Sequence, residues 1–118
     1  MSLSPQATVN IAVQAAEEKK AFNITVLDIK TVSIVADYFI ICSGRSNTHV
    51  QAIAESIQKK LKETGTHVLH LEGVREGRWI LLDYGDVVVH VFQEAERQFY
   101  NLERLWGDAE VVDIPVNI

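Results

Sequence analysis

The residues from Trp79 to Phe92 constrain the fold of this chain more than any other stretch of its sequence. They read WILLDYGDVVVHVF, two apolar runs separated by an acidic turn that contains glycine, a pattern typical of a β-hairpin. An aromatic-rich helix is predicted to follow almost at once, over about Glu94 to Trp106. This segment leaves little room for a catalytic loop, but it offers rigid aromatic surface of the kind that anchors protein interfaces. We therefore interpret it as a docking face.

Alternation along the first strand of the predicted hairpin divides its side chains between two faces of a sheet. Trp79 and Leu81 share one face, whereas Ile80, Leu82 and Tyr84 share the other. One set must cover the core, so the other set is available to a partner.

The predicted last helix has a similar division. Phe99, Leu102 and Trp106 lie along one side of it, and Tyr100 and Glu103 lie at its flank. Exposed aromatic side chains beside acids favour a protein-binding patch over a nucleotide site.

The rest of the chain alternates predicted helices and strands. The helices are predicted over Pro5–Ala21 and Asn47–Thr64, and the strands over Ile24–Ile29, Tyr38–Ser43 and His67–Leu71. Elements that alternate and then close with a hairpin predict an α/β fold, with a mixed sheet of about five strands and helices packed on it. At 118 residues the chain is most simply one domain, predicted over residues 1–107, with a C-terminal tail over 108–118.

Composition narrows the class of protein. The single cysteine, Cys42, cannot form an internal disulfide or supply a cysteine pair for zinc, which fits a reducing compartment. Neither a secretory signal nor an apolar run long enough to span a membrane is apparent, so we expect a cytoplasmic protein.

Charge is distributed unevenly along the chain. Residues 72–118 contain ten acids and four arginines, whereas residues 1–71 contain six acids and seven bases. Because nucleic-acid affinity rests mainly on lysine and arginine, the acidic half is unsuited to phosphate backbones and favours a basic protein surface. Solubilising charge alone is the competing interpretation.

The strongest enzymatic hypothesis is nucleotidyl transfer. The turn Ser43-Gly44-Arg45-Ser46 precedes a predicted helix whose N-terminal amides could receive phosphate. However, Asp83 and Asp86 flank a turn at a spacing of three, where aspartate usually accepts backbone hydrogen bonds, and they do not form the convergent pair that a two-metal site needs. A small nucleotide-binding enzyme therefore remains only the alternative.

Neither the histidines nor the cysteine form a dense ligand pattern. His67 and His70 are predicted to point to opposite faces of a strand, and His90 alternates with valines as a half-buried, hydrogen-bonded residue would. Cys42 ends an apolar strand, as expected of an inert buried thiol. We expect no metal and no cofactor.

Several motifs in order resemble the Iojap family, the ribosomal silencing factors. They are WILLDYGDVVVHVF, the R-x-F-Y-x-L-E-x-L-W helix after it, the earlier DYFIICSG at Asp37 to Gly44, and the pair Glu72-Gly73. The resemblance covers nearly the whole chain as far as Trp106. It implies a nucleotidyltransferase-like α/β fold and a translation repressor without enzymatic activity.

The resemblance also implies a partner and a set of contact residues. The expected partner is the large ribosomal subunit, bound through the basic ribosomal protein numbered fourteen, which lies where the small subunit must dock. Neither a membrane nor a specific nucleic-acid sequence is an expected partner. The contact residues at positions that match the family motifs are Trp79, Leu81, Leu82, Asp83, Tyr84, Gly85, Asp86, His90, Arg97, Tyr100, Leu102, Glu103 and Trp106.

The aromatic clustering predicts self-association of the free protein. An exposed apolar face is poorly tolerated on a lone small domain, so we expect a two-fold dimer in which the same patch meets itself. If the patch is shared, the dimer and the ribosome complex exclude each other.

Overall fold

Both helices begin where the sequence predicts, at Pro5 and Asn47, and each has a serine N-cap, in a computed structural model that describes residues 3–95 and 110–112. Helix α1 spans Pro5–Glu18, and helix α2 spans Asn47–Glu63. The Ser4 hydroxyl accepts a hydrogen bond from the Ala7 amide at 3.2 Å, and the Ser46 hydroxyl accepts one from the His49 amide at 3.2 Å. Neither helix is both long and apolar enough to cross a membrane.

The two helices end in the same way, although only one of the two ends is visible in the sequence. Helix α2 is followed by Gly65, whose φ of 85° lets the Thr66 amide return to the Leu61 carbonyl. Helix α1 ends with the same pair of backbone bonds around Lys20, at a φ of 61°. The prediction that α1 reaches Ala21 was therefore wrong by three residues, because a lysine takes the left-handed position usually given to glycine.

In the part of the chain that the structure describes, six strands form one mixed sheet, one more than predicted. They are β1 (Phe22–Asp28), β2 (Tyr38–Gly44), β3 (His70–Glu72), β4 (Trp79–Asp83), β5 (Val87–Gln93) and β6 (Glu110–Val111). Their order is β3-β4-β5-β2-β1-β6, with β2 and β5 parallel and every other neighbouring pair antiparallel. The α/β fold with a mixed sheet is thus confirmed.

The predictions near the C-terminus concern the tail over 108–118, the last helix and the domain boundary. Strand β6 pairs with β1 and lies within the predicted tail over 108–118, so part of that tail is sheet. Residues 94 and 95 are helical, but the rest of the predicted helix and the predicted domain boundary at residue 107 lie outside the described residues. The boundary remains a prediction.

The predicted strand His67–Leu71 begins later than expected. After Gly65 the chain reaches the sheet only at Leu69, whose amide donates to the Asp83 carbonyl at 2.8 Å. The edge strand β3 therefore starts at His70.

The two faces of the sheet contain different residues. The helix-covered face is mainly aliphatic and packs against both α1 and α2; its buried strand residues are Val26, Tyr38, Ile40, Cys42, Ile80, Leu82, Val87, Val89 and Val91. The second face, to which neither α1 nor α2 contributes, has a separate core of Leu27, Ile29, Ala36, Phe39, Ile41, Val88 and Phe92, with Trp79 and Leu81 partly buried against it. The buried position expected for Cys42 is confirmed.

Candidate protein-docking surface

The turn of the β4–β5 hairpin is stabilised by the groups that the sequence suggested. Asp83 Oδ1 accepts a hydrogen bond from the Gly85 amide at 2.8 Å, and the Tyr84 amide donates to the Val87 carbonyl at 2.9 Å. Gly85 has a φ of 90°, which favours glycine at this position. The interpretation of Asp83 as a turn residue is therefore confirmed.

Strand β4 places three of the candidate contact residues in one row on the second face. Trp79, Leu81 and Asp83 alternate along the strand, and each is half-buried. At about 3.4 Å per residue, the row is roughly 14 Å long. The row begins at Trp79, the first residue of β4, and ends beside the turn at Gly85, where the Asp86 side chain is exposed. We call these three residues the β4 strip.

Three other candidate residues lie elsewhere in the fold. Leu82 has no exposed surface and faces the helices, and His90 is only 4% exposed, so neither offers surface to a partner. Tyr84 packs against the helix-covered core, on the opposite side of the sheet from Trp79. The structure therefore does not bring all three into one surface, because strand alternation sends Leu82 and Tyr84 to the other face, and their part in binding stays a prediction.

Tyr84 has an unusual environment for a tyrosine. Its ring lies beside the end of α2 and the following loop, and its hydroxyl is buried without a hydrogen-bond partner in the described part of the chain. Burial raises the pKa of the Tyr84 hydroxyl to about 12. These properties indicate a packing role at the edge of the core.

His90 lies at the centre of an aromatic cluster on the second face. Its Nδ1 accepts a hydrogen bond from Trp79 Nε1 at 3.1 Å, and the Phe39 ring meets the imidazole edge-on with centroids 4.9 Å apart. The Trp79 ring stacks on Phe92 with centroids 4.9 Å apart and planes at 26°. Burial lowers the pKa of the His90 imidazole to about 4, so the ring is neutral near pH 7.

The remaining candidate residues lie outside the described residues. They are Arg97, Tyr100, Leu102, Glu103 and Trp106, all in the predicted last helix. Their assignment to the docking surface remains a prediction.

Two residues that the sequence analysis did not select lie beside the β4 strip. The edge strand β3 pairs His70 with Asp83 and Glu72 with Leu81, so both β3 side chains share the second face with the strip, and both are exposed. Opposed residues of antiparallel strands lie close enough to act together on one partner. The Glu72-Gly73 motif was a usable signal for this position, but the pairing that brings it to the strip depends on strand register.

The loop between β3 and β4 bears on the phosphate site considered at the start of α2. Asn47 Nδ2 donates to the Glu76 carbonyl at 3.1 Å, and Gln51 Nε2 donates to the Val74 carbonyl at 2.7 Å. A Cβ on Gly77 would lie only 2.8 Å from the Asn47 carbonyl oxygen, so this loop packs tightly against the first turn. The Asn47 and Gln51 side chains are therefore already bonded to this loop, although residues 45–48 at the helix start are exposed.

The nucleotide-binding alternative would also use the Arg45 region and the pair Asp83 and Asp86. The first is already hydrogen-bonded, and the two aspartates lie in different places. The Arg45 amide donates to His49 Nδ1 at 2.9 Å, and His49 Nε2 bonds to the Lys19 carbonyl at 2.7 Å. Asp83 caps the turn while the Asp86 side chain is exposed beyond it. Within residues 3–95 and 110–112, no three His, Cys, Asp or Glu side chains are grouped so that they could hold a metal.

Known proteins resemble this chain along almost its whole length. A family model described as "Ribosomal silencing factor during starvation" matches residues 2–117. Proteins named ribosomal silencing factor RsfS from Halalkalibacterium halodurans and Bacillus subtilis are 47% and 48% identical to it over 112 residues, which is 95% of this chain and 96% and 95% of theirs. A chloroplastic Iojap protein of Zea mays is 35% identical over 102 residues, covering 86% of this chain and 44% of that protein.

Solved structures agree with these sequence relationships. A crystal structure of a protein from Chromobacterium violaceum is 37% identical, covers 98% of this chain and 95% of its own, and has a TM-score of 0.87. A second, from Bacillus halodurans, is 44% identical, covers 92% and 99%, and has a TM-score of 0.83.

Proposed function

Since the chain belongs to the ribosomal silencing factor family, whose general role is to repress translation, we propose that it acts by binding the large ribosomal subunit. The contact is the basic ribosomal protein numbered fourteen, and the bound protein blocks joining of the small subunit by steric exclusion. The observation that supports this proposal best is the β4 strip, which combines a tryptophan, a leucine and a carboxylate in one half-buried row.

The chemistry of the strip suits a basic protein surface. Trp79 is the largest side chain of the strip, and tryptophan is among the commonest interface anchors. Glu72 and Asp86 are exposed beside the strip and at its end, where they can pair with lysine or arginine. An extended apolar row with acids at its margin gives both affinity and orientation.

The residues of this proposal divide into contacts and supports. In the described part, the contacts are Trp79, Leu81, Asp83, Glu72 and Asp86, with Gly85 shaping the turn. Arg97, Tyr100, Leu102, Glu103 and Trp106 complete the surface from the predicted last helix. Leu82, Tyr84 and His90 support it from inside the fold.

The proposal is tested by co-sedimentation with purified ribosomal subunits. The protein should sediment with large subunits and not with small ones, and Trp79→Ala should weaken binding about thirtyfold, equivalent to about 2 kcal/mol. Lys59→Ala, an exposed change on α2, is the matched control and should bind like the unaltered protein. Equal binding to both subunits would overturn the proposal.

Repression by exclusion requires no bond to be made or broken, so we propose that the protein is not an enzyme. Purified protein with magnesium or manganese should leave nucleoside triphosphates unchanged. Asp83→Asn should disturb the turn, because the Gly85 amide loses a charged acceptor, and hence weaken subunit binding or folding. Metal-dependent nucleotidyl transfer that disappears in Asp83→Asn would favour the enzymatic alternative.

The free protein is proposed to form a two-fold dimer. Because Trp79 and Tyr84 lie on opposite faces, a patch shared by dimer and ribosome has to be the second face alone. A dimer locked by a disulfide at Glu72→Cys, an exposed position beside the strip, should lose large-subunit binding and recover it on reduction. A locked dimer that binds as well as the monomer would show that the two surfaces are separate.

A further inference from the structure

His90 is inaccessible to a partner, yet it contacts the largest side chain of the β4 strip. The indole nitrogen of Trp79 donates to His90 Nδ1 at 3.1 Å, and the centroids of the two rings are 5.9 Å apart. A tryptophan side chain can rotate about two bonds, and a hydrogen bond from its indole fixes one of the resulting orientations. His90, which lies beneath the β4 strip, therefore determines which edge of the Trp79 indole faces outward.

The imidazole is itself held from two sides. Phe39 meets it edge-on with centroids 4.9 Å apart, and Phe92 lies nearly parallel to it, with planes at 12° and centroids 6.2 Å apart. Phe92 also stacks on Trp79, so these rings form one continuous group. A rigid acceptor of this kind transmits its position to the indole.

His90 carries a cost that a purely structural residue at this position would avoid. Because Nδ1 accepts a hydrogen bond, the neutral ring has its proton on Nε2, and Nε2 is buried without a partner in the described part of the chain. A buried donor without an acceptor is unfavourable, whereas phenylalanine would fill the same space without a polar atom. What histidine adds, compared with phenylalanine, is the hydrogen-bond acceptor Nδ1 on the other side of the ring.

We propose that His90 is a positioning residue of the docking surface, which holds the Trp79 indole in the orientation that the ribosomal partner recognises. This inference rests on the proposed function. Burial keeps the imidazole neutral near pH 7, since it lowers the pKa to about 4, so the Nδ1 lone pair remains available. The contact is therefore a permanent part of the surface.

The experiment compares two substitutions that separate the acceptor from the ring. His90→Phe keeps an aromatic ring and removes the acceptor, whereas His90→Gln keeps an acceptor and removes the ring. His67→Phe, at an exposed position on the loop before β3, is the control. Nitrogen-15 NMR follows the Trp79 indole N–H, which is distinguished from that of Trp106 by the signal lost in Trp79→Phe.

His90→Phe should move the Trp79 indole proton to higher field, speed its exchange with solvent and weaken large-subunit binding about tenfold. Thermal unfolding should stay at or above that of the unaltered protein. His90→Gln should restore part of the indole shift and part of the affinity, and His67→Phe should change neither. The affinity of the double variant Trp79→Ala, His90→Phe should equal that of Trp79→Ala, because His90 acts through Trp79.

Other outcomes separate this inference from the proposed function. If His90→Phe moves the indole signal but binds large subunits with full affinity, or if the two substitutions are additive, the positioning role is wrong. If the unaltered protein does not bind large subunits, the proposed function fails and this inference fails with it, even where the indole shift confirms the geometry. Should His90→Phe not fold, His90→Gln decides, since loss of both indole shift and binding in a folded His90→Gln contradicts the importance of the acceptor.

Discussion

The two faces of the sheet are built from the same strands but differ in composition. The helix-covered face is mainly aliphatic and is packed under α1 and α2, and the Ser56 hydroxyl, which is buried there, donates to the Ala15 carbonyl at 3.1 Å. The second face combines aliphatic residues with an aromatic cluster, contains the buried histidine, and borders the half-buried β4 strip. One face has the chemistry of a stable core, and the other is the face on which the proposed docking surface lies.

This difference has a practical consequence for neighbouring residues of one strand. Leu82 and Leu81 have the same side chain and adjacent positions, but alternation assigns them to opposite faces. Changes to the first should affect stability and changes to the second should affect binding. The predictions below test whether the two faces are separable in this way.

The largest effect is expected from Leu82→Ala. Leu82 has no exposed surface, so its truncation should leave a cavity and lower the free energy of unfolding by about 2–5 kcal/mol. Leu81→Ala removes the same atoms from a half-buried position and should cost about 1 kcal/mol, while weakening large-subunit binding more than Leu82→Ala does in the folded fraction. Denaturant titration and co-sedimentation measure the two quantities. Equal losses of stability for both variants would show that the faces are not separable.

The second effect is the loss of folding stability that the buried His90 imidazole causes at low pH. The folded pKa of His90 is about 4, against 6.5 in the unfolded chain, so below pH 6.5 the unfolded state takes up the proton first. Stability is therefore complete above pH 6.5 and falls as the pH drops toward 4, by up to about 3 kcal/mol in all.

Carboxylates titrate in part of the same range, so the informative quantity is a difference between proteins. His90→Phe should lose less stability than the unaltered protein between pH 7 and 5, as measured by denaturant titration at each pH. His67→Phe, at an exposed position, should retain the dependence of the unaltered protein. If His90→Phe and the unaltered protein change in parallel, His90 is not protected from protonation by burial.

Much of the fold was predictable because local signals and alternation agree. The predicted helix starts at Pro5 and Asn47 were correct, and the apolar runs identified the two strands of the hairpin and β2. The end of α1 was predicted wrongly, because no sequence pattern indicates that Lys20 takes a left-handed conformation. The sixth strand was missed because a pair of two residues, Glu110 and Val111, carries too little periodicity to detect.

The candidate surface was predictable only in part. Alternation correctly separated Trp79 and Leu81 from Leu82 and Tyr84, but the motif resemblance grouped them again, because a motif contains core and surface residues alike. Glu72 was missed because its place beside Leu81 depends on the register of β3 against β4, which is a tertiary property.

The smallest effect is expected where the helix-covered face reaches solvent, at Tyr84. Its buried hydroxyl has no partner in the described part of the chain, so Tyr84→Phe removes an unpaired polar group and should raise the free energy of unfolding by up to about 1 kcal/mol. Burial raises the pKa of this hydroxyl from 10.0 to about 12, so the unfolded chain loses the proton first as the pH rises. The unaltered protein should therefore lose stability between pH 10 and 12, and Tyr84→Phe should lose less.

Binding distinguishes this substitution from one in the strip. Because Tyr84 lies on the opposite side of the sheet from Trp79, Tyr84→Phe should bind large subunits with unchanged affinity, whereas Trp79→Phe, which loses the bond to His90, should bind more weakly. Both variants place phenylalanine at the changed position, so the comparison contrasts the two faces of the sheet. A loss of binding in Tyr84→Phe as large as that in Trp79→Phe would extend the docking surface around the turn onto the helix-covered side.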